Sequence, residues 1–240
     1  MNVLGVVAAR GGSKGFPGKN KALFNGEALV VNAVKSLIGA SLVEHVLVST
    51  DDADIAELAI GAGARQLLAR PAHLSDDHVG ILSVLKHELQ VWEERDGANI
   101  WAVVLSSPTT PLRQSLHVDE AICMLNSRAD ADCVVSVSQT PHQYSVESQL
   151  LLDDRGFVRP LKPNGAYILS RQEKSQSYSR NGPCVLALRT DYLKRCKHLY
   201  EGNTLAYHME SIFGIDIDSE NDLKMVEAIV SSGLINQVAK

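Results

Sequence analysis

The stretch from Arg10 to Asn20, RGGSKGFPGKN, combines four glycines with three cations, Arg10, Lys14 and Lys19. Glycines allow a backbone to approach a ligand closely with its N–H groups turned inward. The cations carry the charge that a triphosphate needs. The spacing matches neither GxGxxG nor GxxxxGK(S/T), so the dinucleotide and P-loop motifs do not fit. The stretch therefore predicts a phosphate-binding loop of another kind, and a solvated turn is the alternative.

Two aspartates, Asp216 and Asp218, lie two positions apart in the segment IDID. On a strand, such residues face the same side, and their carboxylates repel each other unless a cation sits between them. Mg²⁺ prefers hard oxygen ligands and also binds phosphate oxygens. The pair therefore predicts a site for Mg²⁺ or another divalent cation. The alternative is that Asp218 caps the helix that begins near Glu220.

Strands and helices that alternate along the chain would position these groups. The apolar runs that predict strands are 3–9, 43–49, 65–69, 100–105, 133–137, 184–188 and 212–217. Helices are predicted over 28–38, 52–60, 79–92, 116–126 and 223–231. This alternation, at about 25 to 35 residues per unit, predicts an α/β fold with an open, mostly parallel sheet covered by helices. The loop after the first strand would lie at the carboxyl ends of the strands, where ligands of such sheets bind.

The alternation is interrupted over residues 139–180, a polar stretch rich in Ser and Gln. Short strands are predicted there at 149–152 and 166–169. The stretch is too long for a bare loop in a compact domain, so it should pack against something. We expect a single domain over residues 1–240, in which 139–180 is an excursion that contacts a second subunit in a homodimer.

Composition limits the partners and the compartment. The 240 residues carry a net charge of −5, which gives no overall attraction to nucleic acid or to anionic membranes. No apolar stretch approaches the ~20 residues of a membrane span, and the first residues lack the basic region of a signal peptide. The four cysteines form no CxxC pair and lie in apolar segments. They indicate buried thiols in a reducing cytoplasm.

Six further motifs follow the glycine-rich loop in an order that points to a known family. They are VSTDD at 48–52, RP at 70–71, PTTPLR at 108–113, RQ at 171–172, RNG at 180–182 and IDID at 215–218. In order and spacing they resemble the motifs of the CMP-N-acylneuraminate (sialic acid) cytidylyltransferases. The resemblance covers essentially the whole chain. It implies a three-layer, Rossmann-like nucleotide-diphospho-sugar transferase fold.

The resemblance also implies a reaction. In this family the anomeric hydroxyl of a nine-carbon 2-keto acid sugar attacks the α-phosphate of CTP, which gives a CMP-sugar and pyrophosphate. The implied ligands are therefore CTP, a nonulosonic acid and Mg²⁺ held by Asp216 and Asp218. By the same resemblance the nucleotide-binding residues are Arg10, Gly11, Ser13, Lys14, Lys19, Asn20, Arg70 and Ser107. The implied catalytic residues are Arg171, Lys19 and Arg10.

Two of these residues have a plainer interpretation. Asn20 has a side chain with a donor and an acceptor suited to a cytosine edge, but it is also a common turn residue. Arg70 is equally compatible with a surface arginine.

For the sugar, the resemblance implies Gln172 and Asn181. Two Asn-Gly pairs, at Asn164 and Asn181, are possible matches to the family's pair. Only Asn181 lies at the family's distances, about ten residues after the Arg-Gln motif and about 35 before the aspartates. Asn164 is interpreted as an ordinary turn.

The chain departs from the family where the substrates would bind. Ser107 replaces a glutamine, His78 stands where relatives carry small hydroxyl residues, and Ser170 replaces a second arginine. These differences concern the identity of the sugar more than the reaction.

The alternatives are an enzyme for the eight-carbon sugar Kdo, which Lys14 and Asn20 disfavour, and a non-catalytic sugar-nucleotide-binding paralogue. Among nine-carbon acids, the legionaminic and pseudaminic acid enzymes resemble the sialic acid ones. An NAD(P) reductase lacks support because GxGxxG is missing.

Overall fold

The structure is a computed structural model and describes residues 1–76, 78–162 and 175–235. Its strands are β1 (Val3–Ala8), β2 (Leu23–Phe24), β3 (Glu27–Ala28), β4 (His45–Ser49), β5 (Ala102–Ser106), β6 (Cys133–Gln139), β7 (Leu150–Leu152), β8 (Val158–Pro160), β9 (Tyr178–Arg180), β10 (Val185–Arg189) and β11 (Thr204–His208). Its helices are α1 (Leu29–Ile38), α2 (Ala53–Gly61), α3 (Ile81–Arg95), α4 (Ser115–Ser127), α5 (Thr190–Arg195) and α6 (Glu220–Ser231). None of the helices within the described ranges is both long and apolar enough to cross a membrane.

The central sheet has the order β11-β6-β10-β5-β1-β4, and β9 pairs with β6. Strand β1 is parallel to both of its neighbours, so that Val6 lies beside Leu47 on one side and Leu105 on the other. Strand β10 runs antiparallel to β5 and β6, whereas β11 is parallel to β6. The sheet is therefore mixed and mostly parallel, as predicted. Because β10 is reversed, its first residues meet the carboxyl ends of β1, β4, β5 and β6 at one edge.

Buried side chains fill both faces of this sheet. Alternate residues of β1 face opposite sides, with Val3 and Val7 in one core and Leu4 and Val6 in the other. Helices α1 and α4 pack on the first face, and α3 and α5 pack on the second. Each fully buried aliphatic side chain contributes roughly 1.5–3 kcal/mol, so both layers are needed for stability. The three-layer prediction is confirmed.

Local signals in the sequence account for where several helices begin. Asp52 caps α2, because its carboxylate accepts hydrogen bonds from the N–H groups of Asp54 and Ile55. Ser219 and Asp222 form a capping box at the start of α6. The expectation that Asp218 caps this helix is therefore wrong, because Ser219 is the N-cap residue.

Two predicted strands of the sheet are absent from the described residues. At 65–69 only a single bridge joins Arg65 to Leu47. The pairing does not continue because the Gln66 side chain donates to the carbonyl of Thr50, at 3.0 Å. At 212–217 the chain instead forms a 3-10 turn, Ser211–Gly214, followed by irregular backbone.

One edge strand is β11, which the sequence did not predict because its side chains are only partly buried. In the excursion, β7 confirms the strand predicted at 149–152, whereas 166–169 lies outside the described residues.

Three of the four cysteines, Cys133, Cys184 and Cys196, are buried free thiols, as predicted. The prediction is wrong for Cys123, which lies on α4 with its side chain exposed.

Candidate active site

A basic cleft of about 290 Å³ opens at the carboxyl ends of β1 and β5. Six of the eight predicted nucleotide-binding residues line it: Arg10, Ser13, Lys19, Asn20, Arg70 and Ser107. Sequence reasoning did not assign other lining residues, such as Asp76, which belongs to no motif, and Thr109, which lies in the PTTPLR motif but received no role. The remaining two predicted residues, Gly11 and Lys14, belong to the same loop but do not line the cleft.

The glycine-rich loop is fastened to the segment that follows β4. The Gly11 N–H donates to Asp51 Oδ1 at 2.9 Å. A Cβ atom on Gly11 would lie 2.9 Å from Cβ of Asp52, so only glycine allows this approach. Lys21 then pairs with Asp52 and Asp54, at 3.2 and 2.8 Å. The N–H of Gly11 is therefore used by the protein itself, whereas the sequence had suggested inward-turned amides for a ligand.

Asn20 is buried at the end of the loop, with 6% of its surface exposed. Its Nδ2 donates to the carbonyl of Arg10 at 2.8 Å. Gly18, with φ of 72°, provides the left-handed turn that brings Asn20 back to Arg10. The amide thus fixes the loop, and its carbonyl oxygen is left to accept a hydrogen bond from a ligand.

Arg70 is buried rather than on the surface. Its Nε donates to Ser49 Oγ at 3.0 Å and its Nη2 to the Ser49 carbonyl at 2.5 Å. Behind it lies Glu88 of α3, which is 1% exposed and has an Oε1 atom without a hydrogen-bond partner within the described structure. Burial raises the pKa of Glu88, while Ser49 and the Arg70 guanidinium act in the opposite direction. The guanidinium is therefore held from behind and lines the cleft with a fixed orientation.

The two aspartates lie on irregular chain and in different environments, so the prediction that they alternate on a strand is wrong. The Asp218 side chain is 79% exposed and forms an ion pair with Lys19 Nζ at 3.0 Å. Asp216 is half-buried, and its Oδ1 atom has no hydrogen-bond partner among the described residues. Burial raises the pKa of Asp216, and the charge of Asp218 adds to this effect.

This donor set fits a divalent cation. A buried carboxylate oxygen without a partner and a second carboxylate two residues away are hard oxygen ligands. No cluster of three or more His, Cys, Asp or Glu side chains that could hold a metal occurs in the described ranges. The protein would therefore supply two ligands and leave the others to phosphate oxygens and water, which is typical of Mg²⁺.

The motif PTTPLR positions the other side of the cleft through Arg113, which is fully buried. This guanidinium donates to the Ser107 and Cys184 carbonyls, at 3.1 and 2.9 Å, and to Thr110 Oγ1 at 2.7 Å. Ser107 Oγ in turn lies 2.8 Å from Thr109 Oγ1. Arg113 thus ties the loop after β5 to the start of β10.

Asn181 lies in the short connection between β9 and β10, and its amide is used inside the protein. Its Oδ1 accepts from the Ser136 hydroxyl at 2.6 Å, and its Nδ2 donates to Ser138 Oγ at 3.3 Å. It lines neither the basic cleft nor the cavity beside it. Arg171 and Gln172 lie outside the described residues, so their placement stays a prediction.

A second cavity of about 640 Å³ adjoins the basic cleft, and the two share Ala8, Ile81 and Ser107 as walls. We call it the adjacent cavity. Its other lining residues include Leu82, Leu105, Arg180, Gly182, Pro183, Lys197, His198 and Leu199. The sequence analysis assigned none of its basic residues to a site: Lys197 and His198 belong to no motif, and Arg180 was noted only as part of the RNG motif.

The mixed sheet with a basic cleft at its carboxyl edge defines an α/β fold with a candidate anion-binding site. The fold is similar to that of CMP:2-keto-3-deoxy-manno-octonic acid synthetase complexed with CTP, with a TM-score of 0.70, 16% identity and coverage of 97% of this chain and 99% of that one. It is also similar to 4-diphosphocytidyl-2C-methyl-D-erythritol synthase from Anaerococcus prevotii, with a TM-score of 0.61, 10% identity and coverage of 96% and 98%. A sequence model described as cytidylyltransferase matches residues 4–231, and the chain belongs to this family.

Two curated relatives show how far the similarity extends. The N-acylneuraminate cytidylyltransferase of Escherichia coli is 28% identical over 229 residues, which cover 95% of this chain and 52% of that protein. The CMP-N,N'-diacetyllegionaminic acid synthase of Legionella pneumophila is 28% identical over 241 residues, with 100% and 99% coverage. The chain thus spans about half the length of the first relative and nearly all of the second. The resemblance drawn from the motifs is confirmed at the level of the family.

Proposed function

We propose that this chain is an N-acylneuraminate-type cytidylyltransferase. It transfers CMP from CTP to the anomeric hydroxyl of a nine-carbon 2-keto acid sugar. A new bond forms between that oxygen and the α-phosphorus, the bond to the β-phosphate oxygen breaks, and pyrophosphate and the hydroxyl proton leave. The observation that carries the proposal is the gathering of Arg10, Lys19 and Arg70 with Asn20 in one cleft, in a chain of the cytidylyltransferase family.

Each residue of the cleft has a role in this transfer. Arg10, Lys19 and Arg70 neutralise charge on the triphosphate and on the departing pyrophosphate. Ser13 supports the same phosphates. Gly11 acts indirectly, because its N–H holds the loop against Asp51, and Lys14, which does not line the cleft, would have to turn toward the phosphates. The Asn20 carbonyl oxygen accepts from the cytosine amino group, and Ser107 takes the place of the family's glutamine.

Asp216 and Asp218 would hold a divalent cation. When bound, Mg²⁺ would supply positive charge to the phosphate oxygens. Lys19, which pairs with Asp218 at 3.0 Å, lines the cleft and would turn to the triphosphate. Arg171 is the predicted catalytic arginine, and Gln172 and Asn181 are the predicted sugar residues. Asn181 would act mainly by shaping the start of β10, because its amide is already engaged.

The protein acts as a homodimer in the cytoplasm. Support for the dimer comes from the β7–β8 hairpin, which exposes Leu152, Phe157 and Val158 to solvent. Large exposed apolar patches of this kind mark protein interfaces. The buried free thiols are compatible with a reducing compartment.

The second candidate function is a sugar-nucleotide-binding protein without turnover, which the replacement of the family's glutamine by Ser107 favours. A Kdo enzyme is less well supported, because the likeness to the Kdo synthetase concerns the fold.

A pyrophosphate-release assay with CTP tests the proposal. The acceptors are N-acetylneuraminic acid, KDN, legionaminic acid, pseudaminic acid and Kdo. Release with at least one nine-carbon acid and little release with Kdo is the expected result. Binding of CTP without release for any acceptor would contradict the proposal and favour the non-catalytic alternative.

A further inference from the structure

The adjacent cavity has an unusual charge for this chain. Its described lining includes the cations Arg180 and Lys197 and the imidazole of His198, and no Asp or Glu. The chain as a whole has a net charge of −5, so an all-basic lining is not the average surface. A cavity of this charge with apolar walls at Leu82 and Leu199 favours an anion that also has an apolar part.

Lys197 and His198 lie on a short loop, residues 196–200, that follows α5. Three contacts hold its backbone: Lys86 Nζ donates to the Cys196 carbonyl at 2.6 Å, Glu201 Oε2 accepts from the Lys197 N–H at 2.8 Å, and the Tyr192 hydroxyl donates to the His198 carbonyl at 3.4 Å. The hydrogen bond from the Lys197 N–H also holds the pKa of Glu201 below its ordinary value. The two basic side chains are therefore presented by a fixed backbone.

Tyr200, the last residue of the loop, has φ of 75°. A bulky side chain rarely adopts this left-handed conformation, which persists only where the surroundings impose it. The Tyr200 hydroxyl also lies 3.5 Å from Arg180 Nη1 of β9, across the cavity wall. A strained residue thus links the 196–200 loop to the third basic side chain.

The position of the adjacent cavity indicates which kind of anion would bind there. Ala8, Ile81 and Ser107 separate it from the cleft that would hold the triphosphate, so its basic groups are not part of the phosphate loop. Because the two cavities share these three residues, a ligand in one would lie next to a ligand in the other. This is the place for an acceptor that has its own negative charge.

We propose that the 196–200 loop, with Arg180, recognises the carboxylate of the acceptor and selects acids over neutral sugars. Lys197 and His198 are the specificity-determining residues, and they act on substrate binding rather than on CTP. This assignment rests on the proposed function for the position of the acceptor.

The test compares an acid with its methyl ester, which removes the charge and keeps the ring. Both are titrated by calorimetry into the protein saturated with a CTP analogue that has a methylene between the α- and β-phosphorus and cannot release pyrophosphate. N-acetylneuraminic acid is the first probe, and the other acids of the panel follow. Wild type should bind the acid about tenfold or more tightly than the ester, because the free energy of a hydrogen bond to a charged group corresponds to at least that ratio of dissociation constants. In Lys197→Gln/His198→Gln the ratio should fall to about two.

Lys194→Gln is the matched control, because this exposed lysine of α5 pairs with Glu93 and does not line the cavity. It should keep the wild-type ratio, and all variants should keep the wild-type melting temperature and affinity for the CTP analogue. An unchanged acid-to-ester ratio in the double variant, or no preference in wild type, overturns the inference even if pyrophosphate is released. A third outcome would retain the inference and contradict the proposed function: wild type prefers the acid, the double variant loses this preference, and wild type releases no pyrophosphate with any acid.

Discussion

At the scale of single residues, the buried carboxylate of Asp216 lowers the stability of the fold but is suited to bind a cation. Burial raises its pKa, so the native protein binds this proton more tightly than the unfolded chain. The native state then holds more protons between the two pKa values, and stability falls as pH rises through that window. At neutral pH without metal, the ionised carboxylate destabilises the fold, and a bound cation would compensate for it.

Asp216→Asn should therefore separate stability from activity. The amide keeps the shape, removes the charge, and should raise the free energy of unfolding at pH 7 without Mg²⁺ by about 1 kcal/mol. At the same time kcat should fall about 10²–10³-fold, because a group that stabilises charge in the transition state is lost. Urea unfolding and pyrophosphate release measure the two effects, and higher Mg²⁺ should recover part of the rate. Near-normal turnover at low Mg²⁺ would show that the aspartates do not hold the metal.

Arg70 and Glu88 should behave as a coupled pair. Arg70→Ala leaves a buried carboxyl without its counter-charge and should lower the free energy of unfolding by about 3 kcal/mol. Adding Glu88→Gln to that variant should restore part of the loss, since no buried charge then remains. Urea unfolding of the two single variants and the double variant gives the coupling energy. Simple additivity would mean that the two side chains do not interact.

The residues of the basic cleft differ in how far the sequence could predict them. Arg10, Lys19 and Asn20 stand out because glycines and cations are concentrated in one short stretch. Glu88 could not be predicted, since a glutamate in a helix is normally exposed. The internal use of the Asn181 amide could not be predicted either, because its two side-chain partners, Ser136 and Ser138, lie more than 40 residues away.

At the scale of elements, Arg113 joins the loop after β5 to β10, and its loss should affect both. Arg113→Gln would leave several buried carbonyl and hydroxyl groups without a donor, so the free energy of unfolding should fall by about 3 kcal/mol or more. The rate of pyrophosphate release should fall as well, because Ser107 and Thr109 lose their support.

Arg128→Gln is the control, since that arginine pairs with Asp130 on the surface near the end of α4. It should cause no measurable loss in urea unfolding or turnover. Equal stability of the two variants would contradict the structural role of Arg113.

The elements were predictable where burial is complete. β1, β5 and β6 are continuous apolar runs and were found within one or two residues. The error at 212–217 has a physical cause: Phe213 and Ile217 are buried by packing against the core and not by sheet pairing. The sequence pattern records burial but not the hydrogen-bond partner, so a buried loop and a strand look alike there.

At the scale of the whole molecule, the dimer prediction rests on the β7–β8 hairpin. The exposed fractions of Leu152 and Val158 are 72% and 62%. Leu152→Lys/Val158→Lys should convert a dimer to a monomer in light scattering at micromolar concentration, because two charges would have to be buried. Leu116→Lys, an exposed apolar position on α4, should leave the dimer intact. A wild-type monomer would contradict the prediction.

The ion pair between Lys19 and Asp218 joins residues 199 positions apart. Contacts of such long range form late in folding, because the entropy of closing a long loop is lost before the contact stabilises the fold. On a ribosome, every strand of the central sheet, ending with β11 at His208, would emerge before Asp218 does. The sheet should therefore become protease-resistant in an arrested nascent chain before that chain can bind CTP. The edge that carries the candidate site would then mature after the sheet does, so a ribosome-bound chain that ends before Asp218 should be folded but unable to bind nucleotide.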